Sequence, residues 1–233
     1  LYYVRAGGYA LVFLLIATQL KEPRTQKDEE PDEPRFIDDF GDFLSDENHL
    51  KGWIILSALT SLPMAITTPF LQLYAHEIKG ADQYVLGIMS TAMVLTRLVF
   101  GIPFGRLADR LGRKKIIYLT TPLWYASSLL LAFSLNSVTL IIAGALQTFY
   151  SISSGITSAM MLEVVPIHRM GKWNGVLGLF RGLVTIPAPI IGGLIWQGIG
   201  PVYVFLIPLV VDLCVRIPLL NKMPETLEME ITE

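Results

Sequence analysis

Cysteine is nearly absent from these 233 residues: Cys214 stands alone, so no disulfide can close within the chain. Histidine is scarce as well, and His49, His76 and His168 lie too far apart to offer metal-ligand spacing. Charged residues make up only 16% of the chain, against about 25% in an ordinary soluble domain. No nucleophile–base spacing, no Asp/Glu/His cluster and no glycine-rich phosphate loop is present. These absences exclude a disulfide-stapled module and a water-soluble globule. They also argue against a membrane-embedded enzyme, and no cofactor, metal or nucleic-acid partner is expected.

What fills the chain instead is apolar: 52% of residues are hydrophobic and the mean hydropathy is +0.53. A membrane span needs roughly 20 apolar residues. Seven stretches qualify, at 1–20, 52–75, 84–104, 116–135, 138–162, 172–197 and 201–221. The chain is therefore an integral membrane protein of packed helices.

Between the third and fourth runs lies GRLADRLGRKK, residues 105–115, with Arg106, Arg110, Arg113, Lys114 and Lys115 around a single acid, Asp109. A helical continuation of the preceding span would place Gly105, Asp109 and Arg113 on one face, and Gly112 would permit a sharp turn into the next span. Cations here hold a loop to an anionic membrane surface. Gly105, Asp109, Arg110, Gly112 and Arg113 also match G-x-x-x-D-R-x-G-R, and so the chain resembles the major facilitator superfamily of secondary transporters. The hairpin from Glu163 to Gly175, EVVPIHRMGKWNG, resembles a second loop of that family.

The resemblance implies an all-α, six-helix bundle forming the C-terminal half of a twelve-helix transporter, with one further helix before it. Residues 1–20 and the last span both enter through tyrosines and leave through Lys, Pro and Glu, a weak echo of the kind that parallel repeats leave. On this reading 1–20 is the last helix of the N-terminal half, which would be the chain's partner. Residues 21–50 form a charged linker, 51–221 the bundle and 222–233 a tail. Within the linker, Phe36, Phe40 and Phe43 fall at helical spacing among aspartates and predict a short amphipathic helix.

Lysine and arginine placement orients the threading. Segments 21–51 and 105–115 carry five each, whereas 76–83 carries only Lys79 and 136–137 carries none. By the positive-inside rule the linker, the basic loop and the tail are cytoplasmic. The expected location is the cell membrane, with lipid on all sides.

Several spans hold more than apolar bulk. The resemblance assigns Gly105, Asp109, Arg110, Gly112 and Arg113, with Glu163 opposite Arg113, to a latch that breaks as the transporter changes state; Asp109 would meet a helix of the missing half. Arg181, with Asn174 two turns before it, suits either an anionic solute or helix carbonyls, because a buried arginine must find a partner. Gln147, Ser151 and Ser154 on one span, and Ser61, Thr68 and Gln72 on another, form polar stripes that fit a cleft or interhelical hydrogen bonds. The span 116–135 lacks such a stripe and should face lipid. Gly171, Gly175, Gly178, Gly182 and Gly192 predict close helix packing, and Pro187 and Pro189 a bend. Arg97, among small residues, should fill a packing groove. Asp212 stands four residues before Arg216 and so suits a local ion pair, or alternatively a proton-coupling carboxylate.

Three functions compete: movement of a small solute by alternating access, of the efflux type by the resemblance of its prolines and arginine; a receptor or scaffold bundle; and a piece inactive alone. A polar cleft at the bundle's centre separates the first from the second.

Overall fold

The structure is a computed structural model that describes residues 2–19 and 49–226. The described residues form helices joined by short connections and no strands. The chain divides into two units, Leu1–Phe36 and Ile37–Glu233. The first holds α1 (Tyr2–Gln19), whose apolar core, Gly7–Thr18, is shorter than a full span. The expected amphipathic helix around Phe40 lies outside the described residues.

The second unit contains α2 (His49–Glu77), α3 (Gln83–Leu111), α4 (Arg113–Phe133), α5 (Ser137–Glu163), α6 (Met170–Thr185), α7 (Ala188–Gly198), α8 (Tyr203–Val211) and α9 (Ile217–Lys222). A single π-helical turn, Asp212–Arg216, joins α8 to α9. Helices α6 and α7 make one span with a break, and α8 to α9 another, so six segments are long and apolar enough to cross a membrane. At about 1.5 Å per residue, α2 and α3 extend roughly 40 Å, beyond the hydrocarbon layer at both ends.

Local chemistry sets where each helix begins and stops. Asp82 caps α3 by accepting from the Val85 N–H at 2.8 Å, and Asn136 caps α5 by accepting from Thr139 at 2.9 Å. Gly112 ends α3 and starts α4 at φ +106°, a conformation that side chains other than glycine's rarely adopt. Arg113 is thus the first residue of α4 rather than a continuation of α3. At the opposite end, Lys79 reaches across to the last carbonyls of α4, donating to Ala132 at 2.9 Å and Ser134 at 3.0 Å.

Helices α3 and α4 both pack along α5, while α2 packs against α6, α7 and α8. Two apolar clusters result. One, near the Gly112 end, includes Trp53, Leu56, Ala108, Phe149 and Trp173; the other, near the far end, includes Ile66, Tyr74, Met89, Leu140 and Phe205. Between them in sequence fall several buried polar residues: Ser57 and Thr60, Thr120 and Ser127, Gln147, and Asp212 and Arg216. The bundle is therefore apolar at both ends and polar at mid-depth.

Two expectations need correction. Helix α4 does not simply face lipid: Ile116, Ile117, Thr120, Trp124, Ser127 and Leu131 are buried. Its hydroxyls bond back to its own carbonyls, Thr120 to Ile116 at 2.9 Å and Thr121 to Ile117 at 2.7 Å, so they pack almost as methyl groups would. The glycine face of α6 also differs. A Cβ at Gly171, Gly175, Gly178 or Gly182 would meet nothing within 4 Å, and only Gly192, on α7, lies tight against a neighbour, Phe70.

Gly112→Val should destabilise the protein by about 1–3 kcal/mol, because it forces a branched residue into a left-handed backbone. Gly101→Ala, where a Cβ meets nothing, should be neutral. Thermal unfolding of the purified protein in detergent checks both; equal melting temperatures would contradict this account of the turn.

Candidate functional site

Three groups of polar residues stand out, and each arises from helix geometry. The first surrounds the Gly112 turn. Arg113 Nη2 lies 2.5 Å from Glu163 Oε1, at the end of α5, and 3.4 Å from Asp109 Oδ1, at the end of α3. The arginine side chain is only 11% exposed, whereas the Asp109 side chain is 66% exposed. One guanidinium thus ties three helix ends together while Asp109 keeps most of its surface open. Arg106, Arg110 and Lys115 are exposed.

The segment after the last span completes this knot, a role not anticipated from the residues alone. Glu225 accepts from the backbone N–H groups of Arg113 at 3.2 Å and Lys114 at 3.1 Å, capping the start of α4 with a carboxylate. Lys114 Nζ donates to the Met223 carbonyl and to that of Asn221, and Tyr118 donates to Asn221 Oδ1 at 3.1 Å. An acid directly after Pro224 and just past the last span was the available signal. Beside the turn, Arg97, Gly101, Gly105, Asp109, Arg113 and Gly155 line a groove of ≈ 340 Å³ between α3 and α5.

The second group is buried at mid-depth. Asp212 and Arg216 are 0% and 1% exposed, with Arg216 Nε 2.5 Å from Asp212 Oδ1. Tyr125 donates to Asp212 Oδ2 at 2.8 Å, and the guanidinium sits 5.3 Å from the centre of the Tyr150 ring. Tyr150 in turn donates to the Thr60 carbonyl at 2.6 Å. The π-helical turn brings the pair inward, and the aromatic face helps offset a cation whose Nη1 and Nη2 have no acceptor. Both carboxylate oxygens of Asp212 are engaged, the geometry of a structural ion pair.

The third group is a groove of ≈ 520 Å³ walled by α2, α5 and the α6–α7 break. Thr60, Ser61, Met64, Ala65, Thr68, Pro69, Ser151, Ser154, Thr185 and Pro189 line it. Four of the polar positions expected from the sequence, Ser61, Thr68, Ser151 and Ser154, meet here. The others do not. Gln147 is buried and accepts from Ser127 Oγ at 2.9 Å. Gln72 donates to Ser90 on α3 at 3.1 Å, and Asn174 is exposed on α6. Arg181 stands one turn before Thr185; its Nε donates to Ser57 Oγ and its Nη2 lies 3.5 Å from Met161 Sδ.

Removing one member of the buried pair leaves an uncompensated charge in a dry interior, a loss of about 3–5 kcal/mol. Asp212→Ala should therefore lower the melting temperature sharply, while Asp212→Ala with Arg216→Met should recover much of the loss. A double variant no more stable than the single one would show that the pair is not the main partner of either charge.

Comparison with known proteins places these features in a family. Residues 53–221 match the Major Facilitator Superfamily. The chain is 29% identical over 143 residues to the inner membrane transport protein YajR of Escherichia coli, covering 61% of this chain and 31% of that protein. It is 28% identical over 162 residues to the MFS transporter L2 of a Phoma species, covering 67% and 26%. It is 24% identical over 142 residues to the class B tetracycline resistance protein of Escherichia coli, covering 60% and 35%. The aligned stretch thus spans about a third of these relatives' length. With six apolar spans among the described residues and a family match over well over half its length, this multi-pass membrane protein belongs to the Major Facilitator Superfamily of transporters.

Proposed function

We propose that the chain forms the C-terminal half of a twelve-helix secondary transporter that moves a small solute across the cell membrane by alternating access. The observation that carries this reading is the hydroxyl-lined groove at the centre of α2, α5 and the α6–α7 break. Polar surface at that depth is costly against lipid and favourable where solute or water can reach it. Solute would bind there, with Arg181 at the groove's edge facing an anionic group, and the other wall would come from the N-terminal half, to which α1 and the linker 21–50 would belong or lead.

On this reading the Arg113, Asp109 and Glu163 contacts latch one state and part in the other, a two-state element of the rocking kind. Gly105, Arg110 and Gly112 serve the same turn. The excess of cations there puts the turn, the linker and the tail on the cytoplasmic side. A relative named for tetracycline resistance supports the efflux direction, since resistance follows when solute leaves the cell. Asp212 serves as the coupling carboxylate only if its ion pair opens during the cycle.

Solute accumulation by cells carrying the full-length gene tests the proposal. Arg113→Glu and Glu163→Arg should each slow transport about tenfold or more, and combining them should restore part of it. Transport indifferent to both changes would remove the latch. For orientation, Lys115→Cys in a Cys214→Ser background should react with a membrane-impermeant maleimide only after the cells are opened; labelling of intact cells would invert the threading.

A further inference from the structure

The groove's chemistry is more specific than its hydroxyl count suggests, because two prolines leave backbone acceptors in its wall. In an α-helix the N–H of each residue bonds the carbonyl four residues earlier. Pro69 has no N–H, so the Ala65 carbonyl loses its helical donor; Pro189 has none either, and the Thr185 carbonyl loses its own. Ala65, Pro69, Thr185 and Pro189 all line the same groove. Each carbonyl oxygen points along its helix toward the proline, so each lies in the wall between two lining residues. The prolines sit on different helices, α2 and α7, and both line this one groove.

The side-chain hydroxyls add to this bias. Thr60 donates to the Leu56 carbonyl at 2.7 Å, Ser61 to Ala58 at 2.8 Å and Thr185 to Gly182 at 3.4 Å. Their protons are committed to their own helices, and what they turn to the groove is lone pairs. No lining residue carries a charge. Three of the six lining hydroxyls thus offer the groove only lone pairs, and with the carbonyls freed by the prolines they favour a donor at one end. At its other end stands Arg181, one turn from Thr185 and bonded to Ser57, itself one turn from Ser61. Among the described residues the contacts of Arg181 are a hydroxyl and a thioether, with no carboxylate.

We infer that the groove takes a bipolar small solute, a zwitterion whose ammonium group meets the carbonyls of Ala65 and Thr185 and whose anionic group meets Arg181. One to two helical turns separate the two ends, about 5–11 Å. Met64, Pro69 and Pro189 supply an apolar wall for the chain between them. This rests on the groove being the solute site of the transporter proposed above, and it adds the class of solute.

Saturation-transfer NMR on the purified full chain in detergent micelles tests it with three matched probes: 6-aminohexanoate, hexanoate and hexylamine. The first should bind at least tenfold more tightly than either single-ended probe. Arg181→Gln should erase its advantage over hexylamine. Pro69→Ala and Pro189→Ala should erase its advantage over hexanoate, because each returns an N–H to a vacant carbonyl while leaving every polar side chain in place. Equal binding of the three probes by the unaltered protein, no binding of any, or proline variants that keep the full preference would overturn the inference. Failure of the underlying reading looks different. Zwitterion-selective binding in micelles with no transport by cells carrying the full-length gene would remove the transporter and keep the site; transport of all three probes alike would do the reverse.

Discussion

Lipid offers no hydrogen bonds, and that constraint organises nearly everything in this bundle. A polar group within the spans must be met by its own helix, by a neighbouring helix or by something that enters from outside. Thr60 and Thr67 of α2 and Thr120 and Thr121 of α4 take the first route, bonding carbonyls three or four residues back. Ser127, Gln147 and Tyr150 take the second and stitch α4, α5 and α2 together at mid-depth. The charged pair Asp212–Arg216 combines both, with Tyr125 completing the carboxylate from α4. Van der Waals fit then sets the spacing, as where Met89 lies so close to Gly144 that a Cβ there would collide with it.

The same accounting explains the turn at Gly112. A helix start exposes N–H groups that lack partners, and at α4 a carboxylate from beyond the last span supplies them. A helix end exposes carbonyls, and at the far end of α4 the Lys79 ammonium supplies their donor. Helix α4 is thus clamped at both ends by residues distant in sequence, with charges matched to its dipole. Arg113, meanwhile, holds the ends of α3 and α5. Contacts from residues far apart in sequence thus join the ends of α3, α4 and α5 to the segment after the last span.

How much of this could be read from residues alone follows from where the information lies. Six spans, the turn at Gly112 and the break near Pro187 were legible because hydrophobic runs, a basic knot and proline's missing N–H are local properties. The burial of α4 was not, since in lipid both faces of a helix are apolar and periodicity no longer separates inside from outside. The same ambiguity misplaced Gln147, whose stripe fitted a cleft and an interhelical bond equally; Ser127 across the interface decides for the bond. The stripe of glycines on α6 predicted packing, yet among the described residues it has no close neighbour. Glu225 is marked in the sequence only as an acid after Pro224, and its partners are backbone groups more than a hundred residues away. By contrast Ser61, Thr68, Ser151 and Ser154 converge because both of their helices turn a polar stripe to the same space.

Two arginines inside the spans show how differently local sequence can provide for a buried cation. Arg216 has an acid one turn before it, and the π-helical turn delivers the two side chains to each other. Arg181 has Leu177 one turn before it and Thr185 one turn after, so its helix offers no acid at either neighbouring position. Its contacts are a serine hydroxyl and a methionine sulfur. A cation at that depth costs at least about 2.5–3.5 kcal/mol by insertion scales unless something balances it. The balance for Arg216 is built into the last span. Arg181 has no such partner on its own helix, and it is only half-buried where Arg216 is fully buried.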